Sequence, residues 1–149
     1  MINKWIKIFK KKKPDIVSEL WGHFPSGITA PIIKTEALKT SLERTRNKSD
    51  LEHVTKYIFS HPNKFNIYLY KPSKKEKYPQ LNLCIDEKYD YDLVNFIIEK
   101  NFKKKLNCLE LINYIKKNQH LLNFNQRVKR KSRKYHKDYL KKIVNENCN

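Results

Sequence analysis

The first hydrophobic positions, Ile2, Trp5, Ile6 and Phe9, fall three and four residues apart, with Ile8 beside them. That spacing predicts a short amphipathic helix over residues 2–11. Pro14 ends it, because the residue before a proline is pushed out of the α region. Asp15 to Leu20 predicts a strand. Residues 21–28 contain Gly22, Pro25 and Gly27 and predict a loop. Within it Phe24-Pro25-Ser26-Gly27 has turn chemistry, proline presetting φ and glycine able to take φ > 0. Residues 30–34 predict a short strand with Pro31 near its start. Thr35 is then a candidate cap for a helix from Glu36 to about Arg46, with Ala37, Leu38 and Leu42 inward.

Ser49-Asp50-Leu51-Glu52 matches the S-x-x-E capping box. The helix it opens carries Leu51, Val54 and Ile58 on one face, and Pro62 closes it. Phe65 to Tyr70 alternates and predicts a strand. Residues 71–78 predict a polar, mobile loop. Leu81 to Ile85 predicts a buried strand that delivers Asp86 at its end, followed by a helix from Asp90 to Asn101 burying Leu93, Val94, Ile97 and Ile98. Asn107 and Glu110 are placed to cap a helix carrying Leu109, Leu111, Ile112 and Ile115. A further helical pattern holds Leu121, Leu122, Phe124 and Val128. From Lys129 the chain is very basic but keeps Tyr135, Tyr139, Leu140 and Ile143, which reads as a solvated helix or frayed tail. The alternation of strands and helices predicts an α/β domain over residues 1–102 and a basic helical extension over 103–149.

Composition narrows the function classes. The chain has 149 residues, 39% hydrophobic and 32% charged, enough for one soluble domain with a core. No apolar run approaches the roughly 18 residues of a membrane span. Lysines interrupt the first hydrophobic cluster, so no signal-peptide core is present. A cytoplasmic location without a membrane partner is the expectation. Lys and Arg number 33 against 15 Asp and Glu, a net charge of +18. Such an excess suits a nucleic-acid partner, but a composition rich in Lys and Asn explains it as well. Nucleic acid is therefore not the expected partner, and any binding to it is expected to be non-specific and salt-sensitive. Cys84, Cys108 and Cys148 lie far apart and support neither a zinc knuckle nor a disulfide framework. The five histidines show no H-E-x-x-H spacing, and two glycines are too few for a P-loop or a G-x-G-x-x-G cradle.

Asp86 carries the chemistry that remains. An acidic residue where a strand meets a helix is where open α/β sheets place ligand chemistry. Its alternative role is to cap the helix that follows.

Several segments together resemble the spore-coat-polysaccharide type of cytidylyltransferase, a relative of the CMP-KDO synthetases. They are Asp15 to Ser18 followed by Phe24-Pro25-Ser26-Gly27, then Thr35 to Leu38, then Glu52-His53-Val54-Thr55 with Tyr57-Ile58. His61-Pro62-Asn63-Lys64-Phe65, Tyr78 to Leu81, Leu83-Cys84-Ile85-Asp86 and Leu109 to Val128 complete the series. The resemblance covers about residues 15–130 and is most specific at Glu52 to Ile58. It implies the C-terminal half of a Rossmann-like nucleotide-diphospho-sugar transferase, with a partial sheet and a C-terminal helical extension. The family's glycine-containing phosphate loop and its first acidic motif belong to its N-terminal half. Two motifs depart from the family pattern. Gly27-Ile28-Thr29-Ala30-Pro31 stands where the family has G-L-D-V-E, and Glu87-Lys88-Tyr89-Asp90 stands where it has T-P-E-D.

The resemblance implies transfer of a nucleotidyl group from CTP to a sugar, for cell-surface polysaccharide synthesis. It implies Mg²⁺ held in part by Asp86, and a sugar pocket contacted by Glu52 and His53 and shaped by Phe24 and Gly27. Glu52 has a second reading as the end of the capping box, and residues 24–27 one as a plain turn. One aspartate cannot hold Mg²⁺, which takes several hard oxygens. The expected partner is a chain carrying the N-terminal half, or a second copy in a homodimer. A catalytically inactive remnant or partner subunit is the first alternative, and a basic nucleic-acid-binding protein the second.

Overall fold

The computed structural model describes residues 1–101, 106–128 and 130. The expectations for the basic tail, including Tyr135 and Ile143, lie outside these residues. The chain divides into two compact units, one made of residues 2–18 and 30–70, the other of 19–29 with the described residues from 71 onward.

The first unit opens with helix α1, Ile2–Lys12. Its inward residue is Trp5, 1% exposed, whose ring lies 5.8 Å from that of Tyr70. Lys13 ends the helix with φ of +50° while its N–H still donates to the Phe9 carbonyl at 2.9 Å. Strand β1, Ile16–Glu19, is buried at Ile16 and Val17 and pairs antiparallel with β2, Ile32–Ile33. Strand β3, Ile67–Tyr70, lies on the other side of β1, giving the order β2-β1-β3. Asp15 ties these edges together. Its carboxylate accepts from Lys34 Nζ at 2.9 Å and from the Asn66 N–H at 2.8 Å.

Helix α2, Thr35–Arg44, begins one residue earlier than expected, and its N-cap is Lys34 rather than Thr35. Leu42, expected inward, is exposed. The expected continuous helix from Ser49 is two short ones, α3, Lys48–Glu52, and α4, Lys56–Ser60. The capping residue is Asn47, whose side chain accepts from the Ser49 N–H at 2.9 Å. Its cap starts the helix ahead of Ser49, so Glu52 falls at the last residue of α3 and the expected box does not form. The break at residues 53–55 explains why only Ile58 of the expected apolar face is buried, while Leu51 and Val54 are exposed. Tyr57 stacks on His61 at 4.1 Å and meets Phe65 edge-on at 6.2 Å.

The second unit is built on helix α5, Lys88–Lys100, helix α6, Cys108–Lys117, and a 3-10 helix, Gln119–Phe124. Leu93, Ile97, Ile112, Ile115, Leu121 and Leu122 form its core with Tyr78 and Leu81. Ile98, expected inside, is exposed. The cap expected for α6 is present: Asn107 Oδ1 accepts from the N–H groups of Leu109 and Glu110 at 3.0 and 3.1 Å, and Glu110 accepts from the Asn107 N–H at 2.9 Å. The expected strand from Leu81 to Ile85 is reduced to a single parallel bridge between Ser26 and Asn82. Two features stop the ladder. Gly27 leaves the β region with φ of +86°, and Asn82 Oδ1 takes the Cys84 N–H at 3.2 Å, offering the backbone a local turn instead of a neighbour. The described residues thus make a mixed α/β protein with a small three-stranded sheet.

Candidate functional site

In the second unit the Phe24–Gly27 turn is fixed against residues 78–84. The Tyr78 N–H donates to the His23 carbonyl at 3.1 Å, the Ser26 N–H to Leu81 at 3.0 Å, and the Leu83 N–H to Ser26 at 2.9 Å. Phe24 and Pro25 are buried; Gly27 is exposed to solvent on its open side. A Cβ at Gly27 would lie 2.6 Å from both the Cys84 nitrogen and the Leu83 carbonyl carbon. Positive φ and this close approach both require glycine here. The turn and the segment leading to Asp86 are therefore one backbone construction.

Asp86 follows on an exposed stretch. Its side chain is 71% exposed, with a carboxylate oxygen 3.6 Å from Arg130 Nη1. It is not the cap of α5. Glu87 holds that position, and Asp90 reaches back to accept from the N–H groups of Glu87 at 3.1 Å and Asp86 at 3.3 Å. The helix begins at Lys88, one residue too late for Asp86 to be its cap.

Asp90 is the centre of this region and is fully buried. Its carboxylate also accepts from Asn125 Nδ2 at 2.7 Å and pairs with the Arg130 guanidinium. Asn125 further donates to the Asn82 carbonyl at 2.9 Å. Burial disfavours the charge of Asp90, but Arg130, Asn125 and the two backbone N–H groups outweigh it and hold its carboxyl below the usual range. The Glu87–Asp90 spacing was open to reading as a capping pair. Nothing local in the sequence linked it to Asn125 and Arg130, which lie 35 and 40 residues on.

Glu52 and His53 belong to the first unit, so the residues expected at the site divide between the two units. Both are exposed, and the His53 N–H closes α3 on the Ser49 carbonyl at 3.0 Å. Beside them Lys56 donates to Ser49 Oγ at 2.7 Å and pairs with Asp50 at 3.4 Å, while Thr45 donates to Asp50 at 3.0 Å. Leu38, Leu42, Leu51 and Val54 line an open, mainly apolar groove next to Asp50.

The described residues do not suit Mg²⁺ as a complete site. No three His, Cys, Asp or Glu side chains gather among them. Asp86 offers one exposed carboxylate, and Asp90 is committed to Arg130, Asn125 and two backbone donors. No described helix is long and apolar enough to cross a membrane.

No family model and no solved structure matches the chain. It is 27% identical over 133 residues to an uncharacterized protein of Methanocaldococcus jannaschii, MJ1063, covering 89% of this chain and 54% of that protein. It is 23% identical over 149 residues to the spore coat polysaccharide biosynthesis protein SpsF of Bacillus subtilis, covering 79% of this chain and 62% of that one. The chain therefore spans between about half and three-fifths of the length of these relatives. The similarity is distant, and it places the chain beside a protein of spore coat polysaccharide biosynthesis.

Proposed function

We propose that this chain is the C-terminal part of a cytidylyltransferase-like protein that makes nucleotide-activated sugars for a surface polysaccharide. The observation that carries the reading is the Gly27 contact. It welds the Phe24–Gly27 turn to the segment ending at Asp86, two of the motifs on which the resemblance rests. The distant similarity to SpsF supports the same theme. In such a reaction a sugar oxygen attacks the α-phosphorus of CTP and pyrophosphate leaves. The protein's part is to position the two and to neutralise charge.

In the second unit Phe24 and Gly27 would shape a sugar-binding surface, and in the first unit Glu52 and His53 would by the same resemblance be contacts for sugar hydroxyls, each taken by itself. Asp86 would serve as one metal ligand, with the remaining carboxylates and the phosphate cradle supplied from outside the described residues. The partner is a polypeptide carrying the part of the relatives that this chain does not match, or a second copy. A second reading, a partner subunit without turnover, is favoured by the Arg130 guanidinium 3.6 Å from Asp86. That guanidinium already stands beside the carboxylate a cation would need.

Pyrophosphate release from CTP, with a panel of sugars and sugar acids, separates these readings. The chain alone is expected to give none. Mixed with the unmatched segment of SpsF, it is expected to give release that falls about 100-fold with Asp86→Asn. Release by the chain alone would overturn the split-enzyme reading. Release from the mixture that Asp86→Asn leaves unchanged would remove the ligand role. A mixture that neither binds CTP nor turns it over would leave the non-catalytic subunit.

A further inference from the structure

We infer that α1 is a docking surface for anionic lipid headgroups at a bilayer. This does not rest on the nucleotidyl-transfer reading, and it revises the expectation of no membrane partner. Spanning a bilayer and lying on one are separate properties.

Two adjacent strips run along the outer side of α1. One is Ile2, Ile6 and Lys10, at four-residue steps; the other is Asn3, Lys7 and Lys11. All six are exposed, Ile2 to 52% and Ile6 to 36%. The opposite side holds Trp5, 1% exposed, so the helix is already anchored to its own unit. Lys7, Lys10 and Lys11 form no ion pair or hydrogen bond with another side chain among the described residues. No acidic residue precedes Asp15 in the chain, and Asp15 is itself engaged by Lys34. The surface therefore shows uncompensated positive charge next to exposed branched aliphatic side chains.

Charge complementarity selects a polyanion, and the isoleucines select among polyanions. A nucleic-acid backbone offers phosphates to the lysines but no apolar phase beside them. The headgroup region of an anionic bilayer offers both, phosphates at the surface and acyl chains a few ångströms below. The arrangement gives a shallow, reversible contact, because only the edge of the apolar side of the helix is free.

The test is co-sedimentation of the full chain with phosphatidylcholine vesicles, with and without phosphatidylglycerol. Binding is expected only where phosphatidylglycerol is present. Lys7→Gln with Lys10→Gln and Lys11→Gln should lower partitioning about 100-fold, each lysine near an anionic surface contributing about 1 kcal/mol. The charge-reversed Lys→Glu triple variant should lower it further, and the neutral variant keeps the test valid if charge reversal perturbs folding. Near-ultraviolet circular dichroism, to which the buried Trp5 contributes, compared between variant and parent checks that the helix remains docked. Ile2→Ser with Ile6→Ser should reduce vesicle partitioning about tenfold while leaving binding to duplex RNA unchanged. Equal partitioning to neutral vesicles, or lysine variants that bind as well as the parent, would overturn the inference. So would an isoleucine variant with undiminished vesicle binding, which would assign the surface to phosphate polyanions in general.

Discussion

Each unit joins distant segments through one aspartate, and the two aspartates are set very differently. Asp15, in the sheet unit, holds Lys34 and Asn66 with its side chain 26% exposed. Asp90, in the helical unit, holds Asn125, Arg130 and two backbone N–H groups with no exposure at all. Around Asp15 the strands already pair, so the carboxylate adds to a ladder that exists without it. Around Asp90 the described residues make one bridge, between Ser26 and Asn82, and no sheet. There the carboxylate and the Gly27 contact stand in for strand pairing. The difference teaches where disruption is expected to be severe: a partly exposed ion pair is partly replaced by water, whereas removing a carboxylate with no exposure leaves Asn125 and two backbone N–H groups without their acceptor.

The largest effect is expected from Asp90→Ala, which leaves Arg130, Asn125 and the start of α5 without their acceptor. A loss of about 3–5 kcal/mol is expected, readable in urea denaturation. Acid tests the Asp90 cluster directly. The folded protein holds the Asp90 carboxyl below its ordinary value. Its contribution is therefore fully present above about pH 3.9 and is lost as pH falls through the lower, folded value. The parent should thus lose stability on acidification more steeply than Asp90→Asn, and identical pH profiles would contradict the assignment.

Gly27→Ala should cost about 2–4 kcal/mol, combining the left-handed backbone with a Cβ forced against Leu83 and Cys84. A near-neutral result in thermal melts would show that the turn shifts freely, and would weaken the site proposal with it. Asp15→Ala should cost only about 1–2 kcal/mol. Should Asp15→Ala prove as damaging as Asp90→Ala, the distinction between the two units would fail.

What could be read in the sequence follows from range. The period of Ile2, Trp5, Ile6 and Phe9 gave α1, and Asn107 with Glu110 gave the start of α6, because both signals lie within one or two turns. At Ser49 two local caps competed, and Asn47, two residues earlier, prevailed. Leu81 to Ile85 has the apolar content of a strand, but its fate was decided by Gly27, more than fifty residues away. Of the site residues, the Phe24–Gly27 turn was legible from proline and glycine chemistry. The partners of Asp90 were not, since no local pattern joins residue 90 to residues 125 and 130.

Lys13 bears on how α1 is terminated. It holds the left-handed conformation at the end of the helix, the position where glycine is easiest to accommodate. A long cationic side chain there carries a conformational penalty of about 1 kcal/mol relative to glycine. Lys13→Gly should therefore raise the melting temperature slightly while removing one charge from the basic end of α1. Thermal stability and surface charge are thus set against each other at a single residue, and a variant series at position 13 would measure how much of the first is given up for the second.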